Sequence, residues 1–177
     1  MNVAGLLQRY RRWQLSRRGL RLDPSCFVHK MVSIAPRTSN VGELKVGAEC
    51  ELCFGVELNP WQGSITIGRD VFLGPHTVIY GQGGVEIGDH SLISMHCCIV
   101  SSNHSLAGRD EIIRHKPDVL RPTKIGRDVW LGTGVKVLGG VTIGDGCIVG
   151  AGAVVTKDLP AYSIAVGIPA RVVGSRN

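Results

Sequence analysis

Aromatic side chains are scarce in this sequence, with three Phe, three Trp and three Tyr among 177 residues. Glycine is plentiful at 24. That combination suits a solenoid of tight turns and argues against a disordered chain. No apolar run reaches the roughly 18 residues a membrane-crossing helix needs. No signal peptide is evident, so a cytoplasmic setting is expected. The length suits one domain and leaves no room for a second sizeable core. Net charge is also nearly absent from most of the chain. Residues 25–177 hold 14 basic and 13 acidic side chains. A body this neutral offers no broad cationic surface, so nucleic acid is not an expected partner.

What is present is a rhythm. In residues 123–158 every sixth residue is a branched aliphatic: Ile125, Leu131, Val137, Ile143, Val149 and Val155. Neither the 3.6-residue helical period nor the two-residue strand period fits. A period of six, with small residues two places before the aliphatic, marks a parallel β-helix of hexapeptides. The rhythm begins irregularly near residue 26, with Val28 and Ile34, then Val46, Leu52 and Leu58. It resumes through Ile67, Leu73 and Ile79, and again through Ile87, Ile93 and Ile99. The step from Ile79 to Ile87 predicts a two-residue insertion within 81–84. Three hexads make one triangular coil, and roughly six coils stacked at about 4.8 Å give a prism about 30 Å tall.

The six cysteines follow this rhythm rather than a disulfide framework. Cys50, Cys97 and Cys147 each stand two residues before a repeat aliphatic, in an inward phase that wants a small apolar group. Free thiols satisfy that need. Reduced cysteines agree with the expected cytoplasmic setting.

Three segments interrupt or flank the repeat. Residues 1–24 form an arm with Arg9, Arg11, Arg12, Arg17, Arg18 and Arg21 against Asp23 alone. Leu6, Tyr10, Trp13 and Arg17 recur at helical spacing there. This predicts a short amphipathic basic helix, either capping the prism or a neighbour, or touching an anionic membrane surface. The capping reading is preferred because the apolar face is short. Residues 101–122 lose the six-step and gain charge, so they read as a loop extruded from the β-helix of 25–161. Loops of this length in compact domains are commonly functional. Residues 162–177 form a C-terminal tail. Arm and tail are the natural caps for the terminal coils.

Four segments carry a resemblance: VTIGDGCIVGAGAVVTKDLP (141–160), VGIPARVV (166–173), IGRDVWLG (125–132) and SSNHS (101–105). Together they resemble the hexapeptide-repeat acyltransferases. SSNHS resembles the catalytic-histidine region of the galactoside, maltose and polysaccharide O-acetyltransferase branch. The resemblance covers about residues 65–173. It implies an all-β, left-handed parallel β-helix that assembles as a homotrimer. It also implies coenzyme A held between neighbouring prisms and acetyl-CoA as donor. The hand rests on the resemblance alone, because left-handed crossovers run against the general rule.

Under that resemblance His104 is the catalytic candidate. An alcohol is a poor nucleophile near neutral pH, and a histidine within hydrogen-bond reach can take its proton as it attacks. Such general-base help contributes about 10²–10⁴-fold. The implied route is direct transfer with no acyl-enzyme. The loop carries Arg109, Asp110, Glu111, Arg114 and His115, and either one of its carboxylates orients His104 or the segment is a solvated charged loop. A backbone N–H in a Gly-rich turn is the economical oxyanion donor. Thr133, Ala151, Thr156, Lys157 and Arg171 fall at cofactor-contacting positions of the family, with Lys157 and Arg171 suited to phosphates. Gly174 stands where family members often carry a further basic residue. Trp130 either lines the cofactor tunnel or packs between prisms. Gln82 lies one coil from Ser102, and with Asn103 it is a candidate for holding a saccharide acceptor. His76, His90 and His96 each stand three residues after a repeat aliphatic, and three such ligands with an open fourth position could form a catalytic zinc site. The acyltransferase ending argues against that, and no metal is expected.

The resulting expectation is an acetyl-CoA-dependent O-acetyltransferase acting on a saccharide hydroxyl, on a polysaccharide or lipopolysaccharide precursor. Amino-sugar N-acetyltransferase and serine acetyltransferase are the enzyme alternatives. A β-helix scaffold is the non-enzyme alternative, and a zinc hydratase is an enzyme alternative of another class.

Overall fold

Aliphatic side chains six residues apart can share one interior only if the chain turns a corner between them. The structure, a computed structural model, describes residues 3–35 and 42–177. Met1, Asn2 and residues 36–41, parts of the expected arm and repeat, lie outside the described residues. Most of the strands fall into three sheets, parallel along the coils, that form the sides of a triangular prism. The first sheet runs from Leu20–Leu22 through Glu43–Val46, Ser64–Ile67, Val85–Ile87 and Thr123–Ile125 to Thr142–Ile143. The second starts at Phe27–Val28 and includes Phe72–Leu73, Leu92–Ile93, Trp130–Leu131 and Ile148–Val149. The third starts at Ser33–Ile34 and includes Val78–Tyr80, Cys98–Val100, Lys136–Val137 and Val154–Val155. The first and third sheets each hold six strands, so the prism has about six coils.

Register places like on like. Leu73, Ile93, Leu131 and Val149 align in the second sheet, and Ile79, Ile99, Val137 and Val155 in the third. All of them are fully buried. Each such side chain contributes about 1.5–3 kcal/mol by leaving water. Cys50, Cys97 and Cys147 point inward as free buried thiols, as their phase predicts. Burial pushes the Cys97 thiol up to about 11, so it stays neutral in the core.

The two ends close differently. The N-terminal helix, Val3–Ser16, lies across the first coil. A terminal coil leaves strand N–H and C=O groups without a neighbour. Gln8 supplies both partners for Val28, donating from Nε2 to its carbonyl at 2.9 Å and accepting its N–H at Oε1 at 3.0 Å. Arg11 donates to the Val28 carbonyl at 3.1 Å and Arg12 to the Cys26 carbonyl at 3.2 Å. At the other end, Ser163–Val166 extends the second sheet in parallel, and Arg171–Ser175 returns antiparallel to it. Residues 162–177 are therefore largely strand in the structure.

Candidate active site

The chain leaves the prism after Cys98–Val100 and rejoins it at Thr123–Ile125. Both roots are pinned. The buried Ser101 hydroxyl donates to the Tyr80 carbonyl at 2.8 Å and accepts the Gly83 N–H at 2.9 Å. The Thr123 hydroxyl donates to the Val100 carbonyl at 2.7 Å. The excursion is a hairpin rather than an open loop. Ser102–His104 pairs antiparallel with Asp118–Leu120, and a short 3₁₀ turn spans Ile113–His115. This local ladder has no six-residue rhythm, which is why the repeat pattern reads it as loop.

The ladder sets His104 directly opposite Asp118. His104 Nδ1 lies 2.7 Å from Asp118 Oδ1. Gln82 Nε2 donates to the other carboxylate oxygen at 2.9 Å, and the Ser102 hydroxyl donates to Gln82 Oε1 at 3.0 Å. The chain Ser102, Gln82, Asp118, His104 ties the hairpin to the coil beneath it. The two-residue insertion makes this possible. A Cβ at Gly83 would sit 2.1 Å from the Ser101 carbonyl oxygen, so only glycine lets the two coils approach there. Asp118 is the carboxylate that orients His104. Glu111 is engaged elsewhere: it pairs with Lys116 and accepts the Gly108 N–H at 2.7 Å. The Lys116 ammonium first, then that N–H, hold its carboxyl below the ordinary range. Sequence reasoning did not single out Asp118. The available signal was its position, five residues before the return to the prism at Thr123, against four from Val100 to His104.

The imidazole of His104 is 72% exposed, while Asp118 is 30% exposed. A solvent-open hollow of about 600 Å³ lies beside them, lined by His104, Ile113, Arg114, Lys116, Pro117 and Asp118. A carboxylate at Nδ1 fixes the neutral ring with its proton on that nitrogen, leaving Nε2 as a free proton acceptor. Asn103 lies next to His104 on the same strand, exposed.

The other named residues divide between two edges of the prism. The edge joining the third and first sheets carries Gln82, the hairpin roots and, two coils further along, Thr156 and Lys157. The edge joining the second and third sheets carries His76, His96, Thr133 and Ala151. There the Thr133 carbonyl accepts the Gly152 N–H at 2.8 Å, and Met95 accepts Gly134 at 2.9 Å. Trp130 is exposed on the second sheet and donates from Nε1 to Ser94 Oγ at 3.3 Å. The Ala170 N–H bonds to the Val154 carbonyl at 2.8 Å, which starts Arg171 beside the strand leading to Thr156 and Lys157. Arg176, the basic residue beyond Gly174, is paired with Asp128 at 2.8 Å. The chain thus holds His104 and Thr133 on different edges.

The three histidines of the candidate zinc set are not gathered. His76 and His96 stack face to face at 5.3 Å, while His90 pairs with Asp70 at 2.8 Å. Among the described residues, one group of three potential metal-ligating side chains is close-set: His29, Glu51 and Cys53, with His29 and Glu51 already paired at 2.8 Å. Burial and the Glu51 carboxylate push the Cys53 thiol up to about 11.

Comparison with known proteins agrees with this architecture. Residues 122–157 match the bacterial transferase hexapeptide family (six repeats), and residues 64–99 match the hexapeptide repeat of succinyl-transferase. A probable acetyltransferase of Mycobacterium tuberculosis is 37% identical over 139 residues, covering 78% of this chain and 46% of that protein. The galactoside O-acetyltransferase of Escherichia coli K12 is 35% identical over 114 residues, covering 64% and 55%. The chain thus spans about half the length of these curated relatives. A crystal structure of a mutant of AntD, an N-acyltransferase from Bacillus cereus, in complex with dTDP and coenzyme A, superposes with a TM-score of 0.77 at 23% identity, covering 93% of this chain and 89% of that one. At that identity the superposition speaks for the fold alone. Two hexapeptide matches on successive stretches of the prism, with named acetyltransferases among the relatives, mean that the chain fits the hexapeptide-repeat acyltransferase family.

Proposed function

We propose that this protein is an acetyl-CoA-dependent O-acetyltransferase that acetylates a saccharide hydroxyl by direct transfer, with His104 as general base. The observation that carries the reading is the 2.7 Å contact between His104 Nδ1 and Asp118. It leaves Nε2 free to take a proton. As the acceptor oxygen attacks the acetyl carbonyl, Nε2 receives the hydroxyl proton, and the C–S bond of the donor thioester then breaks. The imidazolium returns that proton to the departing thiolate, so free coenzyme A and an O-acetyl ester are the products. Asp118 stabilises the transient imidazolium without itself becoming protonated.

Thr133, Ala151 and Trp130 supply an exposed edge for the pantetheine arm. Lys157 and Arg171 supply cations for phosphate, and Thr156 lies beside Lys157. Because His104 and Thr133 occupy different edges of one prism, the reading includes a homotrimer in which one protomer's hairpin serves its neighbour's donor edge. Gln82 and Asn103 are the acceptor-side residues, with Gln82 also holding Asp118. The hollow beside His104 is open to solvent, which leaves room for a sugar on a longer glycan and favours a polysaccharide or lipopolysaccharide precursor. Hydroxyl acetylation is preferred over amine acylation because an alcohol is the weaker nucleophile and depends more on the base that the histidine–carboxylate pair supplies.

The test is a screen of sugar, amino-sugar and serine acceptors with acetyl-CoA, read by free-thiol release. His104→Ala should lower turnover on the best acceptor by about 10²–10⁴-fold while leaving coenzyme A affinity within about twofold. Near-normal turnover in that variant would remove His104 from the mechanism.

A further inference from the structure

The N-terminal helix is packed the opposite way round from most surface helices. The side turned to the prism consists of Gly5, Gln8, Arg11, Arg12 and Leu15, of which only Leu15 is fully buried. Its polar members complete the open backbone of the first coil, as described above. At 3.6 residues per turn, Val3, Leu6, Leu7, Tyr10 and Trp13 then fall on one stripe directed away from the prism. All five are about half exposed or more. Met31, 70% exposed, continues this apolar surface across a groove shared with Trp13.

Charge identifies the occupant. The helix contains no acidic residue. Arg9 falls on one flank of the stripe, and Arg17 stacks on the Trp13 ring at 5.4 Å. Arg11, Arg12 and Arg18 donate to backbone carbonyls, which are neutral, so those contacts leave the positive charge uncompensated. An apolar stripe with Trp and Tyr, flanked by arginines, is the pattern of a helix lying in a lipid headgroup layer. We propose that this stripe docks the protein on the surface of an anionic lipid bilayer, with Leu6, Leu7, Tyr10 and Trp13 in the interfacial layer, Arg9 and Arg17 beside the headgroups, and the prism-facing arginines adding to the positive field. The proposal does not depend on the acetyl-transfer reading, since none of these residues belongs to that site. It is also compatible with the absence, among the described residues, of any helix long and apolar enough to cross a membrane.

The experiment is co-sedimentation of the full chain with phosphatidylglycerol vesicles and with phosphatidylcholine vesicles, at low and high salt. Sedimentation with phosphatidylglycerol, little with phosphatidylcholine, and weakening as salt shortens the Debye length from about 10 Å to about 3 Å are expected. Leu7→Glu with Trp13→Glu should reduce binding by about tenfold or more, because inserted apolar surface is lost. Both side chains are about half exposed, at the rim of grooves against the first coil, so the melting temperature of that variant is compared with the parent. If it melts lower, Leu6→Gln with Leu7→Gln repeats the comparison with helix-forming residues. Failure to bind phosphatidylglycerol overturns the proposal, as does undiminished binding by the variants. A variant that changes oligomeric mass while the parent ignores vesicles would assign the stripe to a second copy of the chain and equally overturn it.

Discussion

Asp118 makes His104 more than an exposed loop histidine. Its two carboxylate oxygens have separate duties, one toward the imidazole and one toward Gln82. Asp118→Asn keeps the size but removes the charge, so the imidazolium loses its stabiliser and the ring its preferred tautomer. We expect turnover to fall by about 10²-fold or more with little change in the donor's KM. Steady-state kinetics on the acceptor found by screening would check this, and an unchanged turnover would reduce Asp118 to a structural partner. His104 was legible in the sequence because it sits in a recognisable segment, SSNHS, where the rhythm stops. Gln82 was legible by counting one coil back from Ser102. Asp118 was not, because its position depends on a hairpin ladder whose pairing leaves no trace in a six-residue period.

At the scale of the element, the hairpin and the glycine insertion beneath it form one device. Residues 81–84 read in the sequence only as a two-residue excess. In the structure the excess carries Gln82 out to Asp118 and lets Gly83 meet the backbone of Ser101 and Arg121. Gly83→Ala would force a Cβ against that backbone, which has no flexible end to yield. A cost of about 1–3 kcal/mol is expected, together with displacement of the hairpin. Thermal melting would read the first effect, and loss of acetyl transfer at temperatures where the variant remains folded would read the second. The strands themselves were far more legible than these connections. Every inward aliphatic of the regular hexads is buried where the period puts it, because a repeated corner leaves the side chain no other direction. The N-terminal helix was legible as amphipathic, but not in its orientation. Periodicity defines two faces, and here the backbone of the end coil selected the polar one.

For the whole molecule, the division of the proposed site between two edges has a direct assay. His104→Ala removes the base and leaves the Thr133 edge intact, whereas Thr133→Trp blocks that edge and leaves the base. Each variant alone should be nearly inactive. If neighbouring protomers build each site together, equal mixtures after joint refolding should recover about a quarter of parental activity, as random assembly around a closed ring requires. No recovery would mean that each protomer works alone. The three-sided prism was readable from the sequence, since a rhythm of six determines the local turn. The relation between its edges and a neighbour was not, since no residue in a single chain's rhythm reports on another chain.

The hairpin's two anchor points have an evolutionary consequence. Ser101 and Thr123 fasten both ends to the rigid stack, so the tip between them can lengthen, shorten or change composition without disturbing a single coil. Descendants of one frame could therefore exchange tips as cassettes and acquire new acceptors, provided each tip returned a carboxylate to the place opposite the histidine.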